Sequence, residues 1–278
     1  VRRVDVATPL GTIAALAASP AAGGCELHSA VLVPGFTGSK EDFIQILQTL
    51  AQAGRRVYAI DLPGQYESPG GDDPDSYSCA SLGRVVTDFI DAVDQGPVHL
   101  LGHSFGGLVT RETVLAGEIP LLSHTLMSSG PSGVKGPSRT DAEQLMAVLG
   151  GSPTRERMNQ IWWAHFEEPQ KASGLPEEIH VFLRERMLAN HPLGLFRMAG
   201  EVTSAPDRTD ELAAVDLPKL VLYGEDDATW PPEVQAAMAK RLDAHRVVIP
   251  GAAHSPAVEA PETTASALTK FWNAAETF

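Results

Sequence analysis

Short apolar, β-rich runs alternate with longer segments of helical spacing along the first half of this chain, and that alternation constrains the fold more than any other feature. Residues 30–33 form such a run, closed by Pro34-Gly35. In 42–53 the apolar positions are 43, 44, 46, 47, 50 and 51, a helical period. Ser39 with Asp42 three residues on is an N-cap arrangement for that helix. Residues 57–60 read as the next strand, ended by Asp61-Leu62-Pro63-Gly64. A helix over about 78–94 comes next, with Leu82, Val85, Val86, Phe89, Ile90 and Val93 on one face. Strand 98–101, helix 105–115 and strand 121–127 continue the series. At the N-terminal end, 4–7 and 12–16 flank Pro9-Leu10-Gly11 as strand, turn, strand. Strands separated by helices predict an α/β fold, a mostly parallel central sheet flanked by helices on both faces.

The rhythm breaks at Gly130-Pro131-Ser132-Gly133. Residues 131–210 contain no convincing strand and offer helical patches at 142–149, 154–168, 176–190 and 193–202. After 216–218 the alternation resumes with strand 220–223, helix 233–242, strand 246–249 and a closing helix near 262–272. The expected organisation is a core of 1–130 and 211–278, with a helical cap of 131–210 inserted after the sixth strand.

Composition removes several function classes. Acidic residues outnumber basic ones 35 to 21, a net charge of −14 that repels phosphate backbones, so no nucleic-acid partner is expected. No apolar run approaches the roughly 20 residues that span a bilayer. Cys25 and Cys79 make no disulfide framework and sit in no metal-like cluster, so both read as buried or idle thiols. Arg2-Arg3 ahead of the small apolar stretch 10–18 imitates a signal peptide, but Asp5 and Pro9 interrupt it, and the expected location is the cytoplasm. Nothing in the sequence sets an oligomeric state.

Gly102-His103-Ser104-Phe105-Gly106 lies between a predicted strand and a predicted helix. In a sharp strand-to-helix turn there is no room for side chains at the two glycines, and the Ser104 hydroxyl is lifted clear of the sheet. The helix start also aims backbone N–H groups at negative charge near that hydroxyl. The bland alternative is a glycine-rich structural turn with an idle serine. A serine nucleophile needs a histidine base held by a carboxylate. His254, in Pro250-Gly251-Ala252-Ala253-His254-Ser255-Pro256, occupies a small-residue loop after a late strand, where a base can reach Ser104. His103 is nearer in sequence, but neighbours in a tight turn point different ways, and it reads as packing. For the carboxylate, Gly224-Glu225-Asp226-Asp227 supplies three acids just beyond a strand.

These residues resemble the α/β-hydrolase family, over nearly the whole chain. The family's acid often stands in a Gly-x-x-Asp stretch with proline four residues on; Gly224 to Asp227 and Asp227 to Pro231 fit, with Asp226 as the alternative and Glu225 behind it. Met127-Ser128-Ser129-Gly130, where some members carry the acid, has none. The order Ser104, Asp227, His254 agrees with the family's order of nucleophile, acid and base. The resemblance implies an oxyanion hole made by the backbone N–H groups of Phe105 and of Phe36 in Pro34-Gly35-Phe36-Thr37-Gly38, each donor worth on the order of 3 kcal/mol in the transition state. Pro34 departs from the family's pattern, replacing a histidine that often orders this loop. Asp61-Leu62-Pro63-Gly64, with Ser68 beyond, resembles another family landmark, structural rather than catalytic.

The insertion corresponds to the family's lid. Its large apolar side chains are Trp162, Trp163, Phe166, Phe182, Met187, Phe196 and Met198, most of which should hold the lid to the body. Trp162, Trp163 and Phe166, with Trp230 just past the acid, are the candidate substrate-binding residues. His165 with Glu167 or Glu168 lacks a third ligand at metal spacing, so no metal and no cofactor are expected. The resulting expectation is a serine hydrolase acting on a carboxylic ester, lactone or thioester of a small to medium apolar substrate through an acyl-enzyme. An aminopeptidase holding a substrate amine with Glu201 or Glu178, a perhydrolase, or a carbon–carbon bond hydrolase would use the same triad. A non-catalytic relative that binds a small ligand is the reading from a different class. Serine at 104 disfavours the family's aspartate-nucleophile dehalogenases and epoxide hydrolases.

Overall fold

The computed structural model describes residues 1–21, 27–93, 96–150, 153–172 and 174–277; Cys25 lies outside them. The strands β1 (Arg2–Thr8), β2 (Gly11–Ala18), β3 (Leu27–Val33), β4 (Arg55–Ile60), β5 (Val98–His103), β6 (Leu121–Met127), β7 (Lys219–Gly224) and β8 (His245–Ile249) form one sheet in the order β1-β2-β4-β3-β5-β6-β7-β8. The β1–β2 and β2–β4 pairings are antiparallel and the rest parallel, so the sheet is mostly parallel, as the alternation predicts. β5 and β7 are buried at every position, and β3 from Ser29 on, the signature of strands covered on both faces. Successive residues of a strand serve opposite faces. Val31, Val33 and Leu100 pack with α2 (Cys79–Val93) and α3 (Phe105–Ala116) in one core. Ala30, Leu32 and Leu101 pack with α1 (Ile44–Gln52) and the C-terminal helix, Pro261–Ala275, in the other.

Between β6 and β7 no described residue is in a strand. The chain runs through α4 (Gly136–Leu149), α5 (Arg155–Ile161), a π-helical turn (Trp162–Phe166), α6 (Glu167–Ala172), α7 (Glu177–Ala189), α8 (Pro192–Ser204) and α9 (Thr209–Ala213). The helix expected over 154–168 is therefore broken: the π turn widens one turn of it and rotates the residues C-terminal to that point. α4 begins six residues earlier than its apolar spacing indicates, since Gly136-Pro137 opens it with a polar turn. This block carries its own cluster, Leu145, Leu149, Met158, Ile161, Trp162, Met187 and Leu195, against which Phe36 of the loop after β3 packs. Behind it, α10 (Pro232–Arg241) and α11 (Pro256–Glu259) come after β7 and β8.

The Asp61 landmark is a buried anchor. Asp61 and Lys40 are both fully buried; Asp61 accepts from the Lys40 N–H at 2.7 Å and from its Nζ at 2.8 Å. Ser68 Oγ donates to Asp61 O and accepts from the Ala14 N–H, joining this turn to β2. Cys79 is buried at the start of α2, where burial pushes its thiol well up. Because β3, β5 and β7 run parallel, the loops at 34–38, 103–105 and 225–231 leave the same edge of the sheet, and the 250–255 loop after β8 joins them there.

Candidate active site

Ser104 stands between β5 and α3 with φ 55° and ψ −123°, a conformation that side-chain-bearing residues rarely adopt. The flanking glycines make it possible. A Cβ at Gly102 would fall on Gly106 O, and one at Gly106 would lie 2.5 Å from the carbonyl oxygens of Val33 and Pro34. The turn is held by Ser104 N–H to Met127 O and Gly107 N–H to Ser104 O, both 2.9 Å.

The three residues singled out in the sequence meet here. Ser104 Oγ is 2.9 Å from His254 Nε2, and His254 Nδ1 is 3.0 Å from Asp227 Oδ1. A carboxylate only accepts, so Nδ1 carries the proton, and Nε2 is left as acceptor for the serine hydroxyl. Asp227 is 2% exposed and does not rely on His254 alone. Its Oδ1 also accepts from the Thr229 N–H at 2.9 Å, and its Oδ2 from Gln235 Nε2 at 2.8 Å. Asp226 and Glu225 are exposed and serve the neighbouring loop instead. The Asp226 N–H donates to Ala252 O, the Glu225 N–H to Ile249 O, and Glu225 Oε2 accepts from the Gly251 N–H.

His103 does more than pack. Its Nε2 donates to the carbonyl of His254 at 2.8 Å, fixing the backbone of the residue whose ring faces Ser104. Burial, and then the neighbouring His254, push its pKa down to about 4, so at neutral pH it is an uncharged donor. On the other side of Ser104, the loop 34–38 packs so closely that a Cβ on Gly35 would be 3.1 Å from Ser104 Cβ. Among the described residues, the N–H groups of Phe36, Thr37 and Phe105 donate to no protein acceptor. The Phe105 N–H is free because it opens α3.

Ser104 and His254 sit in a cavity of about 410 Å³, within the range of small-molecule sites. Phe36, Phe166, Val134, Ala142, Leu145 and Val202 are its apolar lining. Of the four expected substrate-binding residues only Phe166 lines it. Trp162 is 2% exposed, stacked on Phe166 and donating to Glu167 Oε2, and so belongs to the packing of the helical block. Trp163 is 52% exposed with the Arg184 guanidinium over its ring, since one helical step of about 100° past the buried Trp162 puts it on the outer face. Trp230 is buried with its Nε1 bonded to Ser132 O, and forms a wall of a neighbouring pocket of about 270 Å³.

The charged lining is Asp42, Asp141 and Arg186, and Arg186 Nη1 is bonded to Asp42 Oδ1 at 2.5 Å. Glu201 is committed elsewhere, its Oε2 accepting from the Cys79 N–H at 2.8 Å, and Glu178 is exposed on α7 and lines no part of the cavity. Neither is placed to hold a substrate amine. Among the described residues no group of three or more His, Cys, Asp or Glu side chains is gathered as a metal site would require.

Sequence reasoning missed Gln235, Gln65 and the Asp42–Arg186 pair. Gln235 carried a weak signal, a polar residue three and four positions before Met238 and Ala239 on one stripe of α10; Gln65, in a turn with no periodicity, carried none.

Comparison with known proteins bears on the family and the fold. Residues 30–267 match the family model of the alpha/beta hydrolase family. The chain is 29% identical over 209 residues to the 2-hydroxy-6-oxononadienedioate/2-hydroxy-6-oxononatrienedioate hydrolase of Cupriavidus pinatubonensis, covering 72% of this chain and 70% of that protein. In fold it is similar to a thermophilic esterase from Thermogutta terrifontis, with TM-score 0.76, 23% identity and 99% of each chain covered. It is also similar in fold to the enol-lactonase of Burkholderia xenovorans LB400, with TM-score 0.75, 16% identity, and 97% of this chain and 100% of that one covered. A sheet of this order, a strained serine between β5 and α3, and a family match across most of the chain lead to one conclusion: the chain belongs to the alpha/beta hydrolase family.

Proposed function

We propose that this enzyme is a serine hydrolase of carboxylic esters, lactones or thioesters, working through an acyl-enzyme. The observation that carries the reading is the chain Ser104 Oγ, His254, Asp227, with contacts of 2.9 and 3.0 Å, opening on a mainly apolar cavity beside three free N–H groups. Ser104 attacks the carbonyl carbon while His254 Nε2 takes the hydroxyl proton. The tetrahedral oxyanion accepts from the Phe36 and Phe105 N–H groups, and His254 returns the proton to the departing alcohol or thiol. Water, activated by the same histidine, then releases the acid. Asp227 keeps the imidazole in the tautomer this requires and stabilises the imidazolium. Nothing in the sequence of steps calls for a cofactor.

Residues 131–210 act in this reading as a lid domain over the strand edge, with Phe166, Leu145 and Val202 facing a small to medium apolar substrate. A second reading comes from the relative named for a dioate, whose substrate carries two carboxylates. The cavity favours the ester reading over that one: its one arginine or lysine among the described lining residues, Arg186, is already paired with Asp42, and Asp141 adds a negative charge.

The test is a panel of neutral esters, lactones and thioesters against a 2-hydroxy-6-oxo-dienedioate. Turnover of the neutral panel with kcat/KM at least tenfold above the dioate is expected; the reverse order overturns the ester reading. On the best substrate, Asp227→Asn should lower kcat by about 10⁴-fold, while Asp226→Asn stays within about threefold of wild type. Equal losses would remove Asp227 from its role.

A further inference from the structure

The loop that carries Phe36 leaves β3 at Pro34, which brings it neither an N–H nor a polar side chain. Its one internal backbone bond runs from the Gly38 N–H to Gly35 O at 3.1 Å. The other attachment comes from Gln65, in the turn after β4, 1% exposed. Gln65 Nε2 donates to Gly35 O at 2.8 Å and to Phe36 O at 3.0 Å, and its Oε1 accepts from the Leu62 N–H at 3.1 Å. The amide has only one workable orientation, since a flip would set Oε1 against two carbonyl oxygens and Nε2 against an N–H. The turn beneath it is fixed in its own right by Gln65 N–H to Leu62 O and Ser68 N–H to Gln65 O, both 2.9 Å.

Within a trans peptide the C=O and the N–H of the next residue point in opposite directions. No peptide bond among the described residues is cis. Turning the carbonyls of Gly35 and Phe36 toward Gln65 therefore turns the N–H groups of Phe36 and Thr37 the other way. That side carries the cavity, which Gly35, Phe36, Thr37 and Ser104 line together, and both N–H groups are without a protein acceptor among the described residues.

We propose that Gln65 is the positioning residue of the oxyanion hole: by holding two successive carbonyls it aims two successive N–H groups, those of Phe36 and Thr37, at the oxygen that becomes negative on Ser104's substrate. This rests on the serine-hydrolase reading above. Without Gln65 the two peptides are free to rotate, and donors misplaced by about an ångström forfeit much of their transition-state stabilisation.

The test compares wild type, Gln65→Leu and Gln65→His on one neutral ester, with affinity for an alkylboronic acid, a tetrahedral mimic, measured beside it. Gln65→Leu is expected to lower kcat by about 100-fold with KM within about threefold, and to weaken boronate binding in step with kcat/KM. Gln65→His, which restores a ring N–H donor, should recover at least tenfold of the lost kcat. If Gln65→Leu does not fold, Gln65→Met, which keeps the volume and removes the same donors, is read identically. Variants within threefold of wild type in kcat, or a kcat loss with boronate affinity unchanged, overturn the role of Gln65. Wild-type protein with no turnover and no labelling at Ser104 overturns the serine-hydrolase reading itself, an outcome that no Gln65 variant produces.

Discussion

Ser104→Ala is expected to lower ester turnover by on the order of 10⁶-fold while leaving the circular dichroism spectrum unchanged. The geometry sets the size: with Oγ gone, His254 Nε2 has no hydroxyl to deprotonate, and only the contribution of the oxyanion donors and the cavity remains. Thermal midpoint should hardly move, because alanine keeps the Cβ and therefore the strain of φ 55°. Ser104→Gly separates the two effects. It should be equally inactive and more stable by roughly 1 kcal/mol, since glycine adopts positive φ without penalty. Turnover by purified Ser104→Ala within tenfold of wild type would remove the serine from the mechanism.

Acid should unfold the protein steeply below about pH 6, and buried histidines are the reason. Burial pushes His124 down to about 3, with Lys219 and Arg111 adding to the effect, and pushes His99 down to about 4 against the opposing pull of Glu276. His103 behaves like His99. Each is bound into the fold uncharged: His124 to Thr110, His99 between Ser123 and Glu276, His103 to the His254 carbonyl. A lowered folded-state pKa means that the unfolded chain binds the proton first. The stabilisation is complete above about pH 6.5 and lost as pH falls toward the folded values, at about 1.4 kcal/mol per pH unit for each group. Asp61 opposes this. Burial raises it to about 6, so between 6 and its ordinary value the folded state takes up the proton and gains. Three histidines against one carboxyl leave a slope of roughly 3 kcal/mol per pH unit between about 6 and 4, large beside a total stability of about 5–15 kcal/mol. Urea titrations at pH 7, 6 and 5 check it. A midpoint that falls most between 6 and 5 is expected; equal midpoints at all three would contradict the buried, neutral histidines.

The sheet was legible because its central strands are covered on both faces and so read as unbroken apolar runs, each trailed by a helix with a plain amphipathic period. The turn at Ser104 was legible for a related reason: glycine is required on both sides, and such a pair between a strand and a helix has few other uses. Asp227 could be preferred over Asp226 by spacing, but burial and the hydrogen bonds of Thr229 and Gln235 set them apart, and spacing encodes neither. The tryptophans of the helical block went the other way. Their facing depends on helix phase: one step past the buried Trp162 sends Trp163 to solvent, and the π turn at Trp162–Phe166 shifts the phase beyond it, leaving Phe166 at the cavity. Gln65 acts on carbonyls some 30 residues away in sequence, a relation made by the fold and by no local pattern.

Covalent labelling with a reactive fluorophosphonate, read by intact mass and peptide mapping beside a His254→Ala control, bears most directly on the nucleophile. One adduct per chain, on Ser104, formed by the wild-type protein and lost in the control, is the predicted result. Folded wild-type protein that takes no label, or takes it on another residue, or labels equally without His254, would contradict the nucleophile–base pair on which the whole reading stands.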